Sequence, residues 1–237
     1  MGDSTEPEAK RVKLGGNLTL YHKTWWSSSR VALLVHELGI GDKVTISDID
    51  EEKLKKDEDF VKRNPAKRLP FMDLGDEKQG MTESGAMIEL LLELYDTEGK
   101  FSVPTPSVDD PESIQKRAQF LRFLHFGPST AYHIIAPLFF KSQVEGEERD
   151  QKGIDEQVEK WKQVVVLQLA NQLQASGGPY LLGEQFTAAD ICITYDLVTA
   201  SFIRGVEGLM DDPTLAKYFQ ALSSREAYKL LFTHSPK

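Results

Sequence analysis

The chain has 237 residues with 28 Lys or Arg against 37 Asp or Glu, which gives a formal net charge of -9 at pH 7. The length allows one large domain or two smaller ones, and the acidic balance argues against a general nucleic-acid surface. A single cysteine, Cys192, excludes an intramolecular disulfide and a thiolate metal cluster, which suits a reducing compartment.

The N-terminal stretch is polar, and we interpret residues 1–16 as a disordered arm. Within it, Lys10–Lys13 (KRVK) is either a short basic nuclear-import signal or part of a solvated tail. The chain has no signal-peptide core and no apolar run of membrane-spanning length, so we expect a cytoplasmic protein with no membrane partner.

The next segment alternates strands and helices. Leu18–Tyr21 is predicted to be a strand, followed by a helix that ends at Gly39, a strand over 44–49 and a charged helix over 51–62. A hairpin and a further helix complete the segment. Strands separated by single helices are expected to pair in parallel, with the hairpin as an antiparallel edge.

The hairpin and helix fall in residues 64–95, NPAKRLPFMDLGDEKQGMTESGAMIELLLELY. Pro70 inside a strand belongs at an edge, a bulge or a cis turn, and a cis bond would turn the Leu69 main chain towards a peptide-like ligand. Glu83 and Ser84 begin the helix, where unpaired N–H groups and the helix dipole favour a carboxylate. An edge proline beside an ordinary helix start is the alternative.

Residues 99–110 are rich in Pro, Ser, Thr and Asp and are predicted to be a linker, after which residues 111–237 show only helical patterns. A bend is expected at Gly127, and a mobile loop over 141–153. Farther along the chain, GEQFTAADI places Thr and Asp as N-cap and N3 of a capping box, which we expect to contribute roughly 1 kcal/mol to folding.

Three of these motifs, NP…LP, TESGAMI and GEQFTAADI, occur in an order and spacing that resemble the cytosolic glutathione transferases over about residues 18–232. The resemblance implies an α/β plus all-α fold. Residues 17–98 would form a thioredoxin-like, glutathione-binding domain with a mixed sheet and helices, and 111–237 an all-helical C-terminal domain.

The resemblance also implies a glutathione site. Glu83 and Ser84 match the pair that holds the γ-glutamyl end, and Leu69, before Pro70, matches the residue whose main chain pairs with the cysteinyl part. Arg68 falls where the family directs a polar or basic side chain at the glycyl carboxylate, and a guanidinium suits that partner. Arg68 as a solvated surface charge is the alternative.

In this family a Tyr at the end of the first strand, or a Ser or Cys at the first helix, donates a hydrogen bond to the glutathione sulfur and lowers its pKa. The usual position falls on a tryptophan here, so we choose Ser27, then Ser28, then Tyr21. The alternatives are that both serines are helix caps and that Tyr21 packs under the sheet. The loop contains no cysteine, and Cys192 is expected in the core, which disfavours a cysteine-type mechanism.

The helix that faces the active site in the family carries His125, Phe126 and Tyr132, which with Trp25 are predicted to form an apolar second-substrate pocket. A packing role for the histidine is the alternative.

The function implied is a detoxification transferase that conjugates glutathione, as co-substrate, to electrophilic and largely apolar small molecules. A homodimer is expected, without a metal and without a nucleic-acid partner. Two alternatives stay open: glutathione-dependent isomerisation or peroxide reduction at the same site, and a non-catalytic binding or assembly module.

Overall fold

A computed structural model of the protein describes residues 17–75 and 80–232. The predicted N-terminal arm, with its KRVK cluster, lies outside the described residues. So does part of the predicted hairpin turn, residues 76–79.

A four-stranded mixed sheet forms the centre of the N-terminal part. Its strands are β1 (Leu18–His22), β2 (Val44–Asp48), β3 (Phe71–Asp73) and β4 (Gly80–Met81), in the order β2-β1-β3-β4. β1 pairs in parallel with β2 and antiparallel with β3, and β3 pairs antiparallel with β4. The mixed sheet confirms the predicted fold class.

β3 follows a segment that was predicted to be a single helix, and on that basis β3 was expected to run parallel to β1. This expectation was wrong, because β3 is antiparallel to β1. His22 pairs with Asp48 and Tyr21 with Phe71, so β2 ends and β3 begins at the same end of the sheet. The connection therefore does not travel back along the sheet, as a parallel crossover must.

The connection is also not one helix. It consists of α2 (Glu51–Lys56) and α3 (Glu58–Arg63), each capped by an aspartate that accepts a main-chain N–H: Asp50 from Lys53, and Asp57 from Phe60. Six-residue helices are only about 9 Å long. Two such short helices reverse the chain at one end of the sheet, so that β3 runs antiparallel to β1.

The remaining helices of this part are α1 (Ser29–Leu38) and α4 (Ser84–Tyr95). As predicted, α1 ends at Gly39, whose left-handed φ of 66° lets its N–H bond back to the last turn. Both helices contribute to a continuous core with the strands, and Leu20, Leu34 and Ile88 are fully buried in it.

The described C-terminal part consists of helices and the loops that connect them, with one isolated β-bridge between Tyr180 and Gly183. The helices are α5 (Pro111–His125), α6 (Tyr132–Ser142), α7 (Gln151–Lys160), α8 (Leu167–Ser176), α9 (Ala188–Phe202), α10 (Pro213–Ser223) and α11 (Glu226–Leu231). The predicted bend at Gly127 is a π-helical turn, Phe126–Ala131, and a second one, Trp161–Val166, joins α7 to α8. Among the described helices, none has the length and apolar character of a membrane span.

The predicted mobile loop is shorter than expected. α6 extends to Ser142, α7 begins at Gln151, and a single 3-10 turn, Gly146–Glu148, lies between them. Asp150 caps α7 by accepting the N–H of Gly153 at 2.9 Å and also pairs with Lys141 of α6. These local bonds order charged residues that a composition-based prediction assigns to a loop.

The capping box at the start of α9 is present, as predicted, and it is larger than the motif. The carboxylate of Asp190 accepts hydrogen bonds from Thr187 N–H (2.8 Å) and Thr187 Oγ1 (3.1 Å). It also accepts from Leu181 N–H and from the Tyr218 hydroxyl, both at 2.9 Å. Burial raises the pKa of Asp190, and these donors oppose that rise. One side chain therefore ties α9 to α10 and to the loop before α9.

α1 and α9 join the two parts through a buried ion pair. Arg30 donates to Asp196 Oδ1 at 2.7 Å and to the Cys192 carbonyl at 2.9 Å, and both charged side chains are almost completely buried. A second contact lies at the other end of α1, where Arg225 donates twice to Glu37 at 2.6 Å. A charge buried without its partner is costly, so these pairs fix how α1 sits against the helical part.

Candidate active site

Ser28 belongs to the internal structure of the loop between β1 and α1. Its hydroxyl is fully buried, lies 3.0 Å from His22 Nδ1 and donates to the Lys23 carbonyl at 3.2 Å. It also accepts the Lys23 N–H at 3.2 Å. The bonding capacity of this hydroxyl is used within the loop, and Ser28 is not among the residues that line the nearby cavity.

The Ser27 side chain faces the cavity instead of the interior of the loop. It is half-buried and lines the cavity, and its hydroxyl donates to the main-chain carbonyl of Leu69 at 3.2 Å. It lies two residues before α1, and the N–H groups of Ser27 and Ser28 bond to no atom in the described part of the chain, whereas the N–H groups of the first helical turn bond to main-chain carbonyls. Open main-chain donors beside the positive end of a helix dipole favour a negative charge. Ser27 therefore combines a hydroxyl donor with a positive local field.

Tyr21 packs within a second, smaller core cluster. Its ring lies edge-on to Phe60, with centroids 4.8 Å apart, and 6.0 Å from the ring of Phe71. Tyr21 does not line the cavity. The structure therefore separates it from Ser27.

The Leu69–Pro70 bond is cis, one of the three arrangements predicted for this proline. Leu69 is buried at the cavity wall. The preceding carbonyl, that of Arg68, accepts a hydrogen bond from the side chain of buried Asn64 at 2.8 Å. Asn64 thus holds the segment in which Arg68 and Leu69 face the cavity.

Glu83 and Ser84 lie beside this segment because of the strand register. Met72 pairs with Met81, and continuation of this antiparallel register by two residues on each strand puts Pro70 opposite Glu83. Glu83 has a left-handed φ of 73°, which a residue with a Cβ rarely adopts, and α4 begins without a side-chain cap. Such conformations cluster at binding sites, and the first turn of α4 is open to an anion.

The cavity lies between the two parts of the chain and has a volume of about 660 Å³. Its walls come from the β1–α1 loop, the segment before β3, and helices α6 and α9. The lining residues are Lys23, Thr24, Trp25, Trp26, Ser27, Lys67, Arg68, Leu69, Tyr132, Ile135, Ala136, Phe139, Phe140, Tyr195, Thr199 and Phe202. Seven of these residues are aromatic, and the set includes three cations and no carboxylate.

Two of the four predicted second-substrate residues line the cavity, and two do not. Trp25 and Tyr132 line the cavity. His125 instead pairs with Glu89 of α4, Nε2 to Oε1 2.7 Å apart, and Phe126 is buried with its ring 5.7 Å from that of Phe123. Neither residue is part of the cavity wall.

Sequence reasoning missed most of the helical wall. On α6, Tyr132 is followed by Ile135, Ala136 and Phe139, a spacing of three, four and seven residues. On α9, Tyr195 is followed by Thr199 and Phe202. This periodicity marks one face of each helix and was available as a signal, but a buried core face has the same pattern.

Buried charge lies directly behind this wall. The guanidinium of Arg30 is 4.7 Å from the ring centroid of Tyr195 and 5.4 Å from that of Tyr132. Burial raises the pKa of Asp196 to about 6 and that of Tyr195 to about 12, and in both cases the charge of Arg30 opposes the rise. Tyr195 is therefore a neutral hydrogen-bond donor at physiological pH.

Cys192 is fully buried, and its pKa is raised to about 12 because burial disfavours the thiolate. Over the described ranges, 17–75 and 80–232, no group of three or more His, Cys, Asp or Glu side chains is arranged to hold a metal ion.

Comparison with known proteins gives matches over most of the chain. Residues 27–99 match the family model of the glutathione S-transferase N-terminal domain, and residues 130–229 that of the C-terminal domain. The glutathione S-transferase-like protein OpS6 of Beauveria bassiana is 27% identical over 209 residues, which cover 88% of this chain and 90% of that protein. The glutathione S-transferase-like protein gedE of Aspergillus terreus is 26% identical, covering 84% and 87%.

Solved structures show the same fold. A glutathione transferase homolog from Lodderomyces elongisporus, crystallised with two GSH per subunit, superposes with a TM-score of 0.73 at 21% identity and covers 93% of this chain and 99% of its own. The glutathione transferase URE2P6 of Phanerochaete chrysosporium, in complex with oxidized glutathione, has a TM-score of 0.70 at 25% identity and covers 92% and 96%. The motifs, the two matched domains and the shared fold agree, and the chain belongs to the glutathione S-transferase family.

Proposed function

We propose that the protein is an enzyme that conjugates the thiolate of glutathione to electrophilic, largely apolar small molecules. The observation that carries this proposal is the position of Ser27. Its hydroxyl lies at the start of α1, 3.2 Å from the Leu69 carbonyl, in the wall of an aromatic cavity. Family membership supports the proposal, as do the fold relatives that were crystallised with glutathione.

Glutathione would lie along the segment formed by Arg68, Leu69, Glu83 and Ser84. The open first turn of α4 suits the carboxylate of the γ-glutamyl end. The main chain of Leu69, at the cavity wall, is available to the cysteinyl part, and the Arg68 guanidinium suits the glycyl carboxylate. This orientation brings the sulfur to Ser27.

Activation of the thiol would follow from two local effects. The Ser27 hydroxyl turns from the Leu69 carbonyl to the sulfur, and the N-terminus of α1 adds its positive field. Both favour the thiolate, so the thiol proton is released to solvent near neutral pH. The sulfur then forms a bond to the electrophilic carbon. A leaving group departs with its electron pair, or the neighbouring carbon of an unsaturated acceptor takes up a proton.

The electrophile would occupy the part of the cavity between α6 and α9. Its wall there is largely aromatic and aliphatic, with Tyr132, Ile135 and Phe139 on one side and Phe202 on the other. Phe140, 68% exposed, also lines the cavity and extends its apolar surface into solvent. Burial of apolar substrate surface against these side chains supplies binding energy.

The decisive experiment is a titration of the bound glutathione thiol in the wild type, Ser27→Ala and Tyr21→Phe, with turnover of an aryl halide measured in parallel. A hydrogen bond to a charged group is worth about 1.5–3 kcal/mol. Ser27→Ala should therefore raise the thiol pKa and lower kcat/KM by roughly ten- to a hundredfold. Tyr21→Phe, which also removes one hydroxyl near β1, is the matched control and should leave the thiol pKa unchanged. A thiol pKa that Ser27→Ala does not move refutes the assignment.

A second candidate is glutathione-dependent peroxide reduction, in which two glutathione molecules are oxidised to the disulfide as the peroxide becomes an alcohol and water. The cluster Lys23, Lys67 and Arg68, with no carboxylate among the described lining residues, favours a second anionic tripeptide in the cavity. Cumene hydroperoxide, an aryl halide and a maleyl-type isomerisation substrate, assayed side by side, discriminate among these reactions. Turnover of the peroxide alone would favour the second candidate, and turnover of the maleyl compound alone an isomerase.

The proposal includes a cytoplasmic homodimer, with α4 and the β3–β4 hairpin near the interface. Size-exclusion chromatography with light scattering tests it, and a monomer at micromolar concentration would contradict it. A protein that neither binds immobilised glutathione nor accelerates conjugation above background would instead be a binding or assembly module.

A further inference from the structure

The main chain of Trp25 adopts an unusual conformation two residues before Ser27. Its φ of 71° lies in the left-handed region, which residues with a Cβ rarely occupy. A loop with this conformation relaxes unless contacts from outside the loop hold it. Trp25 therefore needs contacts from outside the loop that hold its main chain in this conformation.

Contacts from the helical part of the chain surround Trp25. The hydroxyl of Tyr195, on α9, donates to the Trp25 main-chain carbonyl at 3.3 Å. The indole ring lies edge-on to Phe202 of α9, with centroids 5.3 Å apart, and 5.2 Å from the ring of Phe232, which follows α11. Of these contacts, the tyrosine hydroxyl alone acts on the main chain of the loop.

Tyr195 is itself held in place. Its ring packs on the guanidinium of Arg30 at 4.7 Å, and that guanidinium is fixed by the buried Asp196 carboxylate and the Cys192 carbonyl. The Tyr195 carbonyl accepts a hydrogen bond from Thr199 at 2.9 Å. The pKa of about 12 keeps the hydroxyl protonated and able to donate. The Arg30 guanidinium thus holds the Tyr195 ring in place, and the Tyr195 hydroxyl points to the main chain of the loop.

We propose that Tyr195 is a positioning residue: by donating to the Trp25 carbonyl it holds the β1–α1 loop in the conformation that presents Ser27 to the glutathione sulfur. The inference rests on the proposed function for its chemical consequence, although the structural link between Tyr195 and the loop stands apart from it. It assigns to the helical domain a part in thiol activation, beyond a wall for the second substrate.

Tyr195→Phe tests the inference, because it keeps the ring on Arg30 and removes only the hydroxyl. Amide hydrogen exchange in residues 23–28 is the first readout and should become faster. The second is the pKa of the bound thiol, which should rise. The third is kinetic: kcat should fall by roughly two- to tenfold, the range that corresponds to one neutral hydrogen bond, with little change in KM for glutathione.

The matched control is Tyr132→Phe. Tyr132 lines the same cavity and packs on the same guanidinium, at 5.4 Å, but it makes no hydrogen bond to the loop within the described residues. This substitution should leave loop exchange and thiol pKa at their wild-type values, and its effect should fall on KM for the electrophile.

Unchanged exchange in residues 23–28 of Tyr195→Phe would overturn the proposal. Faster exchange with an unchanged thiol pKa would also overturn it, because the loop would then move without consequence for the thiol. If the wild type bound no glutathione, the proposed function would fall together with the catalytic half of this inference. The exchange measurement would still decide whether Tyr195 holds the loop.

Discussion

We predict that His22 lowers the free energy of unfolding in mild acid. It is the last residue of β1 and is 4% exposed, with Nδ1 3.0 Å from the Ser28 hydroxyl and Nε2 3.3 Å from the Thr24 hydroxyl. Burial lowers its pKa from 6.5 to about 4, although the charge of Asp48 opposes the shift. Protonation of His22 therefore places a charge in a buried position next to the loop that carries Ser27.

The sign and size of the effect follow from proton linkage. Between pH 6.5 and about 4 the unfolded chain binds more protons at this residue than the folded protein does. The stability contributed by neutral His22 is fully present above pH 6.5 and is lost as the pH falls towards 4. With these two pKa values the loss is about 2 kcal/mol at about pH 5, and it approaches about 3 kcal/mol below the folded pKa.

The free energy of unfolding in urea, measured at about pH 7.5 and about pH 5, tests this. His22→Asn is near-isosteric around Nδ1 and does not titrate. It should be less stable than wild type near neutral pH, yet lose about 2 kcal/mol less between the two pH values. The opposite contribution of Asp196, whose pKa is raised, is common to both proteins and cancels. His133→Asn, on an exposed face, controls for the loss of a histidine as such. An equal pH difference in wild type and His22→Asn would refute the reasoning.

Three substitutions at the helical core should lower stability for different reasons. Gly127→Ala places a Cβ 2.3 Å from the Cys192 carbonyl oxygen, so we expect a loss of about 1–3 kcal/mol in thermal unfolding. Asp190→Ala leaves several buried donors without an acceptor. It should lower the free energy of unfolding in urea by on the order of 3 kcal/mol, more than the loss of an ordinary helix cap. Asp196→Asn leaves the Arg30 charge buried without its counter-ion and should cost about 3–5 kcal/mol by the same measurement.

Each of these predictions has an internal comparison. At Gly41 an added Cβ meets nothing within 4 Å, so Gly41→Ala should not destabilise as Gly127→Ala does. Asp190→Ala would contradict the reasoning if it cost no more than about 1 kcal/mol, the value for an ordinary cap. For the ion pair, a double replacement of Arg30 and Asp196 by apolar residues should cost less than Asp196→Asn alone, and a larger cost would count against the pairing argument.

Short-range patterns predicted the parts of the fold that depend on neighbouring residues. The capping box of Thr187 and Asp190 and the end of α1 at Gly39 are set by groups within one helical turn, and both were predicted correctly. The reversed direction of β3 was not, because it depends on how α2 and α3 pack at the end of the sheet. A charged sequence of twelve residues does not reveal that Asp57 starts a second helix.

The candidate site also contains residues that the sequence predicted and residues that it did not. Leu69, Glu83 and Ser84 stand out from the sequence because an unusual proline and a helix start mark them. The wall on α9 does not, since Tyr195 and Phe202 have the same spacing as core residues. Which face of α9 meets the cavity is decided by the ion pair between Arg30 and Asp196, and those residues are 166 positions apart in the chain.

Two adjacent serines precede α1, and the fold gives them different roles. Ser27 lines the cavity and Ser28 does not. The bonds of Ser28 to His22 and to the main chain of Lys23 commit it to the loop. Ser27 instead donates to the Leu69 carbonyl and faces the cavity. Protonation of His22 in the folded protein should therefore act on Ser27 through Ser28 only at about pH 4, the pKa of His22 in the folded protein, whereas stability is already lost at higher pH because the unfolded chain takes up the proton first.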